Sequence, residues 1–229
     1  LLEGGLLFFW NHSKLLTLQS NVVPMTMLKD RNRILIVFAH PRFEKSLNNA
    51  LLVKHIPVSS EITFHDLYER YPDFNIDPEF EKKLLTEHDV IVWQHPFYWY
   101  SAPPLLKQWM DIVFEFGWAY GPGGTALQGK TVFNVITAGG QRSAYSKEGY
   151  NNFTVRDLLA PFEQTALLCK MTYLPPFALH GTHRVTREEA MQTAGHYGKL
   201  LEIIVNADYS AENMQSYDYL NDWVAAQIS

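Results

Sequence analysis

The chain has 229 residues, 47% of them hydrophobic and 14% aromatic, enough to bury one full core and too few for two comfortable domains. A formal charge of -5, with no run of Lys or Arg, excludes the electrostatic footprint of a nucleic-acid binder. The lone Cys169 forms no intramolecular disulfide and no CxxC centre; with Leu167, Leu168 and Met171 beside it, it reads as a packed core thiol in a reducing compartment.

Residues 1–32 contain Gly4-Gly5, no clear periodicity and no initiating Met, while Met25 and Met27 stand just before the first strong strand. The apolar stretch at 6–10 is far shorter than the ~20 residues of a bilayer-spanning helix. Residues 1–32 are therefore expected to be an N-terminal extension outside the fold.

Beyond it, short β-rich apolar runs alternate with amphipathic segments of helical length, the pattern of parallel βαβ units. Residues 34–38 form the first run, with no polar alternation, as in a central strand covered on both faces. Ser46 caps a helix to about His55, stopped by Pro57. A second strand at 62–65 leads through a long connection at 71–75 to a helix that Asp77 caps and Pro78 begins. The third strand, 90–94, ends at His95-Pro96. A helix then starts near Ser101, Pro103 and Pro104, with Leu105, Leu106, Trp109, Ile112, Val113 and Phe116 at helical spacing. After a glycine-rich loop at 117–129, the fourth strand spans 131–137. A helix is expected near 155–168, a fifth strand within 170–179, and a last helix over 187–205 with Thr186 and Glu189 as a capping box. Residues 206–229 are set apart as a C-terminal tail.

This order predicts an α/β, flavodoxin-like three-layer sandwich over 33–205, with a five-stranded parallel sheet in the order 2-1-3-4-5. In such sheets ligands sit beyond the carboxyl ends of strands, where the order reverses. That rule selects the loops after the first, third and fourth strands. The first, His40 to Asn49, ends in Ser46, Leu47, Asn48 and Asn49 at a helix N-terminus, where free N–H groups and the positive dipole end suit a phosphate, although the same residues also serve simply as caps. The second, Pro96-Phe97-Tyr98-Trp99-Tyr100, places four consecutive aromatics in a connection. They suit a flat ring system, or else cap the core or join a dimer interface. The third, Thr137-Ala138-Gly139-Gly140-Gln141, allows close backbone approach to a ligand or is an ordinary glycine turn. Tyr145, just beyond, offers a phenol to a substrate oxygen.

Two motifs mislead. Residues 124–131 spell G-x-x-x-x-G-K-T, yet a helix and loop precede them and a strand follows, the reverse of a triphosphate-binding loop. His180-Gly181-Thr182-His183 has no acidic or cysteine partner at ligand spacing, so no metal is assigned.

The runs Ile91-Val92-Trp93-Gln94-His95-Pro96, Trp99-Tyr100-Ser101, Pro103-Pro104-Leu105-Leu106-Lys107 and Gly117-Trp118-Ala119-Tyr120-Gly121 resemble the flavodoxin-like NAD(P)H dehydrogenase (quinone) family. Residues 71–77 and 174–178 are similar to its KefF-type branch, ancillary flavoproteins of glutathione-regulated potassium efflux. The resemblance implies FMN held by His40, Ser46 to Asn49, Pro96 to Tyr100 and Thr137 to Gln141, with NADPH or NADH as electron donor. It further implies a quinone or similar flat acceptor, two-electron ping-pong transfer and a homodimer. The alternative is a regulatory subunit on a KefC-like potassium efflux transporter, cytoplasmic and peripheral to the inner membrane. In the family a tyrosine and a histidine assist at the flavin. Tyr145 matches the tyrosine, but Asn151 stands where histidine would be, and an amide shuttles no proton near neutral pH. The backbone donors of 96–100 and 138–141 are expected to stabilise negative charge on the reduced ring.

Overall fold

A computed structural model describes residues 31–228, so the expectation for most of the N-terminal extension lies outside the described residues. Asn32 is tied to the fold: its N–H donates to Val205 O at 2.9 Å and its amide to Ile204 O at 2.9 Å.

The strands β1 (Ile34–Phe38), β2 (Ile62–Asp66), β3 (Val90–Pro96) and β4 (Thr131–Thr137) pair in parallel in the order β2-β1-β3-β4. Two short strands, β5 (Thr172–Tyr173) and β6 (Phe177–Leu179), both pair with β4. The expected order 2-1-3-4-5 is thus present, but the fifth strand is split. Pro175 and Pro176 have no N–H to give to the ladder, so pairing lapses there and resumes at Phe177. The third strand runs two residues further than its apolar pattern suggested, since His95 and Pro96 pair with Ile136 and Thr137.

The helices are α1 (Leu47–Lys54), α2 (Leu67–Arg70), α3 (Pro78–Glu87), α4 (Pro104–Val113), α5 (Val155–Leu158), α6 (Ala160–Leu168), α7 (Arg187–Val205), α8 (Ala211–Gln215) and α9 (Leu220–Gln227). Alternate residues of the central strands enter opposite cores. Leu35, Val37, Ile91 and Trp93 pack with α4 and α6, while Ile34, Ile36, Val90 and Val92 pack with α7 and α9. Burial on both faces is why these strands read as unbroken apolar runs. Asp77 accepts from Glu79 and Phe80 N–H, and the Thr186–Glu189 capping box forms in full.

Other expectations need correction. The helix over 155–168 breaks at Leu159, because Pro161 supplies no donor and sits in the first turn of α6, where none is needed. Phe116 lies beyond the end of α4 and is exposed. Residues 206–229, set apart from the sequence as a tail, carry α8 and α9. Met214, Leu220, Trp223 and Val224 are buried in the second core, and the Asn221 amide pairs with both backbone groups of Ala178, at 2.8 and 3.0 Å. The G-x-x-x-x-G-K-T segment runs into β4 rather than into a helix, as its context predicted. Cys169 is buried, and burial pushes its thiol up to about 11. Among the described residues, no helix is long and apolar enough to cross a membrane.

Candidate active site

The three selected loops meet beyond the carboxyl ends of β1, β3 and β4 around a cleft of about 630 Å³. On its first wall stand His40, Ser46, Leu47, Asn48 and Asn49. Ser46 caps α1, with its Oγ accepting from Asn49 N–H, and the Asn49 amide donates to Ser46 Oγ at 3.0 Å and to Thr137 Oγ1 at 2.9 Å. Asn49 is buried, and its Oδ1 has no hydrogen-bond partner among the described residues. An orphaned acceptor beside a helix N-terminus fits a polyol phosphate, whose anion takes N–H groups and whose hydroxyls have protons to give. His40 Nδ1 accepts from Arg42 N–H at 3.1 Å, and burial holds this histidine below its usual pKa. It is a neutral polar wall rather than a cation. Positive charge comes instead from Arg42 and Lys45 of this same loop, two cations beyond the residues expected from the helix cap.

Pro96, Phe97, Tyr98 and Trp99 form the second wall; Tyr100 does not line the cleft. Trp99 and Tyr100 adopt φ of 50° and 63°, a left-handed conformation that costs bulky residues roughly 1 kcal/mol or more each. Trp99 is 92% exposed, so burial of its ring does not explain the strain. The Tyr100 hydroxyl donates to Asn151 Oδ1 at 3.3 Å, and Asn151 N–H donates to Ala144 O, so Asn151 joins the aromatic loop to the segment carrying Tyr145.

Thr137 and Gly139 line the third wall, whereas Ala138, Gly140 and Gln141 do not. Ala138 is buried, with its N–H bound to Leu179 O at 2.9 Å. The backbone donors expected here are accordingly fewer than the sequence implied. Phe97 N–H is spent on Thr137 O and Tyr98 N–H on Pro96 O, while the N–H groups of Trp99, Tyr100, Gly139 and Gln141 make no hydrogen bond within the described chain. Tyr145 is 8% exposed and stands behind Phe97, ring centroids 6.0 Å apart, with its hydroxyl beside Gly140. Burial, reinforced by Tyr100, holds this phenol above its usual pKa, so it keeps its proton at neutral pH and can donate it to a hydrogen bond.

Thr182 and His183, from the loop after β6, complete the cleft. Thr182 O accepts from the Asn48 amide at 3.2 Å, and a Cβ on Gly139 would come within 3.1 Å of the His183 ring. Only the tertiary course of β6 brings them here, so no local pattern could have found them.

This sheet, with a cleft at its reversal point, defines a flavodoxin-like protein, and the family described as flavodoxin-like fold matches residues 32–201. The chain belongs to that family. It is 44% identical over 175 residues to the glutathione-regulated potassium-efflux system ancillary protein KefG of Salmonella paratyphi B, covering 76% of this chain and 96% of that protein. Among solved structures, general stress protein 14 of Treponema denticola, in complex with FMN, shares 38% identity at a TM-score of 0.71, over 75% of this chain and 99% of that one. An NADPH-quinone reductase from P. pentosaceus shares 33% identity at a TM-score of 0.68, over 74% and 97%.

Proposed function

We propose that this chain is an FMN-dependent NAD(P)H:quinone oxidoreductase. The observation that carries the reading is the cleft itself. A capped helix N-terminus with an orphaned amide oxygen and two cations stands at one side, and a strained aromatic shelf stands at the other. That pairing of phosphate site with flat apolar surface fits FMN, and the relatives described as FMN-bound or as quinone reductases support it.

FMN, when bound, supplies two-electron hydride chemistry that the side chains cannot. Ser46 to Asn49, Arg42 and Lys45 bind the phosphate end. The N–H groups of Gly139 and Trp99, which no described residue takes up, would be the donors available to negative charge on a bound flavin. Phe97, Tyr98 and Trp99 offer one shelf that donor and acceptor use in turn, and Tyr145 with Asn151 completes its rear. Tyr145, which stands behind Phe97 and does not itself line the cleft, would donate its hydroxyl to the acceptor carbonyl; Asn151 holds Tyr100 and moves no proton. Sharing one shelf makes the kinetics ping-pong, so double-reciprocal plots at several quinone concentrations should be parallel. Intersecting lines would show that donor and acceptor bind together.

Trp99, Tyr150 and Phe153 are each exposed aromatics, of the kind that a second copy of the chain would cover, making a homodimer part of the proposal. A second reading rests on the KefG relatives: the chain also serves as an ancillary subunit on the cytoplasmic face of a KefC-like potassium efflux transporter. Co-purification with such a transporter while quinone turnover is absent would favour that reading over the enzyme.

A further inference from the structure

The turn that delivers Tyr145 to the rear of the shelf is held from outside the segment that the family shares. Arg142 opens this 3-10 turn, Arg142–Ala144, and Tyr145 N–H closes it on Arg142 O at 3.0 Å. The turn follows Gly139-Gly140, two residues that restrain the backbone least. Across from it, α9 presents Asp222, whose two carboxylate oxygens accept from Arg142 Nη1 and Nη2 at 2.7 and 2.6 Å. The same guanidinium lies 4.5 Å above the Tyr219 ring. Tyr219 in turn packs edge-on against His180, centroids 5.3 Å apart, and His180 packs against Tyr145 at 5.6 Å. Both ends of the turn are thereby gripped by one element, Arg142 directly and Tyr145 through His180.

That element is rigidly placed. Leu220 N–H donates to Pro176 O at 3.0 Å, the neighbouring Asn221 is pinned to both backbone groups of Ala178, and Leu220 and Trp223 are buried. Asp222 therefore projects from a fixed base toward a glycine-hinged loop. A planar fork meeting a carboxylate in two bonds fixes orientation as well as distance. Each partner is about half exposed, so the pair's value lies in geometry rather than in stability.

We propose that Asp222, acting through Arg142, is a positioning residue for Tyr145, making the C-terminal helix a component of the active site. The inference rests on the function proposed above for Tyr145, and its test includes a measurement independent of catalysis. In the flavin-free protein, Asp222→Asn should speed amide hydrogen exchange across residues 139–151 about 5-fold without altering exchange in α7. The double exchange of Arg142→Asp with Asp222→Arg should restore most of the protection. In the FMN-loaded protein, Asp222→Asn should slow quinone turnover about 5-fold with FMN affinity unchanged, and should add nothing to Tyr145→Phe. Unchanged exchange, or turnover losses that multiply with Tyr145→Phe, would overturn the proposal. Altered exchange in a protein whose wild type reduces no quinone would leave the clamp standing and overturn the reductase reading instead.

Discussion

His95 makes stability depend on pH in a calculable way. Fully buried at the end of β3, its Nδ1–H donates to Pro96 O at 3.0 Å and its Nε2 accepts from the Asn134 amide at 3.0 Å; Asn134 Oδ1 accepts from the Tyr173 hydroxyl at 2.7 Å. This chain of bonds requires a neutral imidazole, and burial lowers its pKa from 6.5 to about 4. Because the folded value is below the unfolded one, the unfolded chain holds more protons between these two pH values. Stability is complete above the upper value and is lost as pH falls toward the lower. The full gap corresponds to about 3 kcal/mol, of which about 2 kcal/mol is gone by roughly pH 5. His180, lowered to about 4 by burial and by Arg142, adds loss in the same window. Urea unfolding of flavin-free protein at neutral and mildly acid pH isolates the first term: His95→Gln should lose about 2 kcal/mol less than wild type on acidification. Equal losses in both proteins would refute the assignment.

Three further outcomes follow from the cleft. Asn49→Ala removes the bridge to Ser46 and Thr137 and should weaken FMN binding roughly 10-fold in a fluorescence titration. Trp99→Gly relieves the left-handed strain and should stabilise the apoprotein by about 1 kcal/mol while raising KM for quinones, because the shelf loses a ring. Tyr145→Phe should lower turnover several-fold with FMN still bound, whereas unchanged kinetics would remove Tyr145 from the mechanism.

Much of this architecture is legible in the sequence because covering a strand on both faces leaves a dense apolar run, as in residues 34–38, 90–93 and 132–136, the last broken only by the buried Asn134. Caps such as Asp77-Pro78 and Thr186 with Glu189 are local chemistry and are equally readable. Other features also carry local signals. Pro175-Pro176 marks the split in the fifth strand, Pro161 marks the break between α5 and α6, and Leu220, Trp223 and Val224 carry helical spacing inside the segment taken for a tail. The rest is tertiary. Nothing near His183 announces that β6 carries it to Gly139, and no local pattern predicts left-handed backbone at Trp99 and Tyr100. Glu81 sits on a helix of charged residues yet is wholly buried, accepting from Trp109 Nε1 at 2.7 Å and Tyr71 OH at 2.6 Å, and only the partners' positions reveal why. Of the cofactor residues chosen from sequence, those on the first two loops line the cleft except Tyr100. On the third loop Ala138, Gly140 and Gln141 stand back: Ala138 N–H is bound to Leu179 O, Gly140 O accepts from Gly181 N–H, and Gln141 O accepts from Ala144 N–H as the chain turns toward Tyr145.

The most direct test is the visible absorption spectrum of the purified chain, reconstituted with FMN and titrated anaerobically with NADPH and then with a quinone. The account predicts stoichiometric FMN, bleaching of its absorbance by the nicotinamide, and recovery on adding quinone. Failure to bind FMN would contradict the cofactor assignment, and bound FMN that neither NADPH nor NADH bleaches would contradict the reductase and leave the ancillary subunit as the standing account.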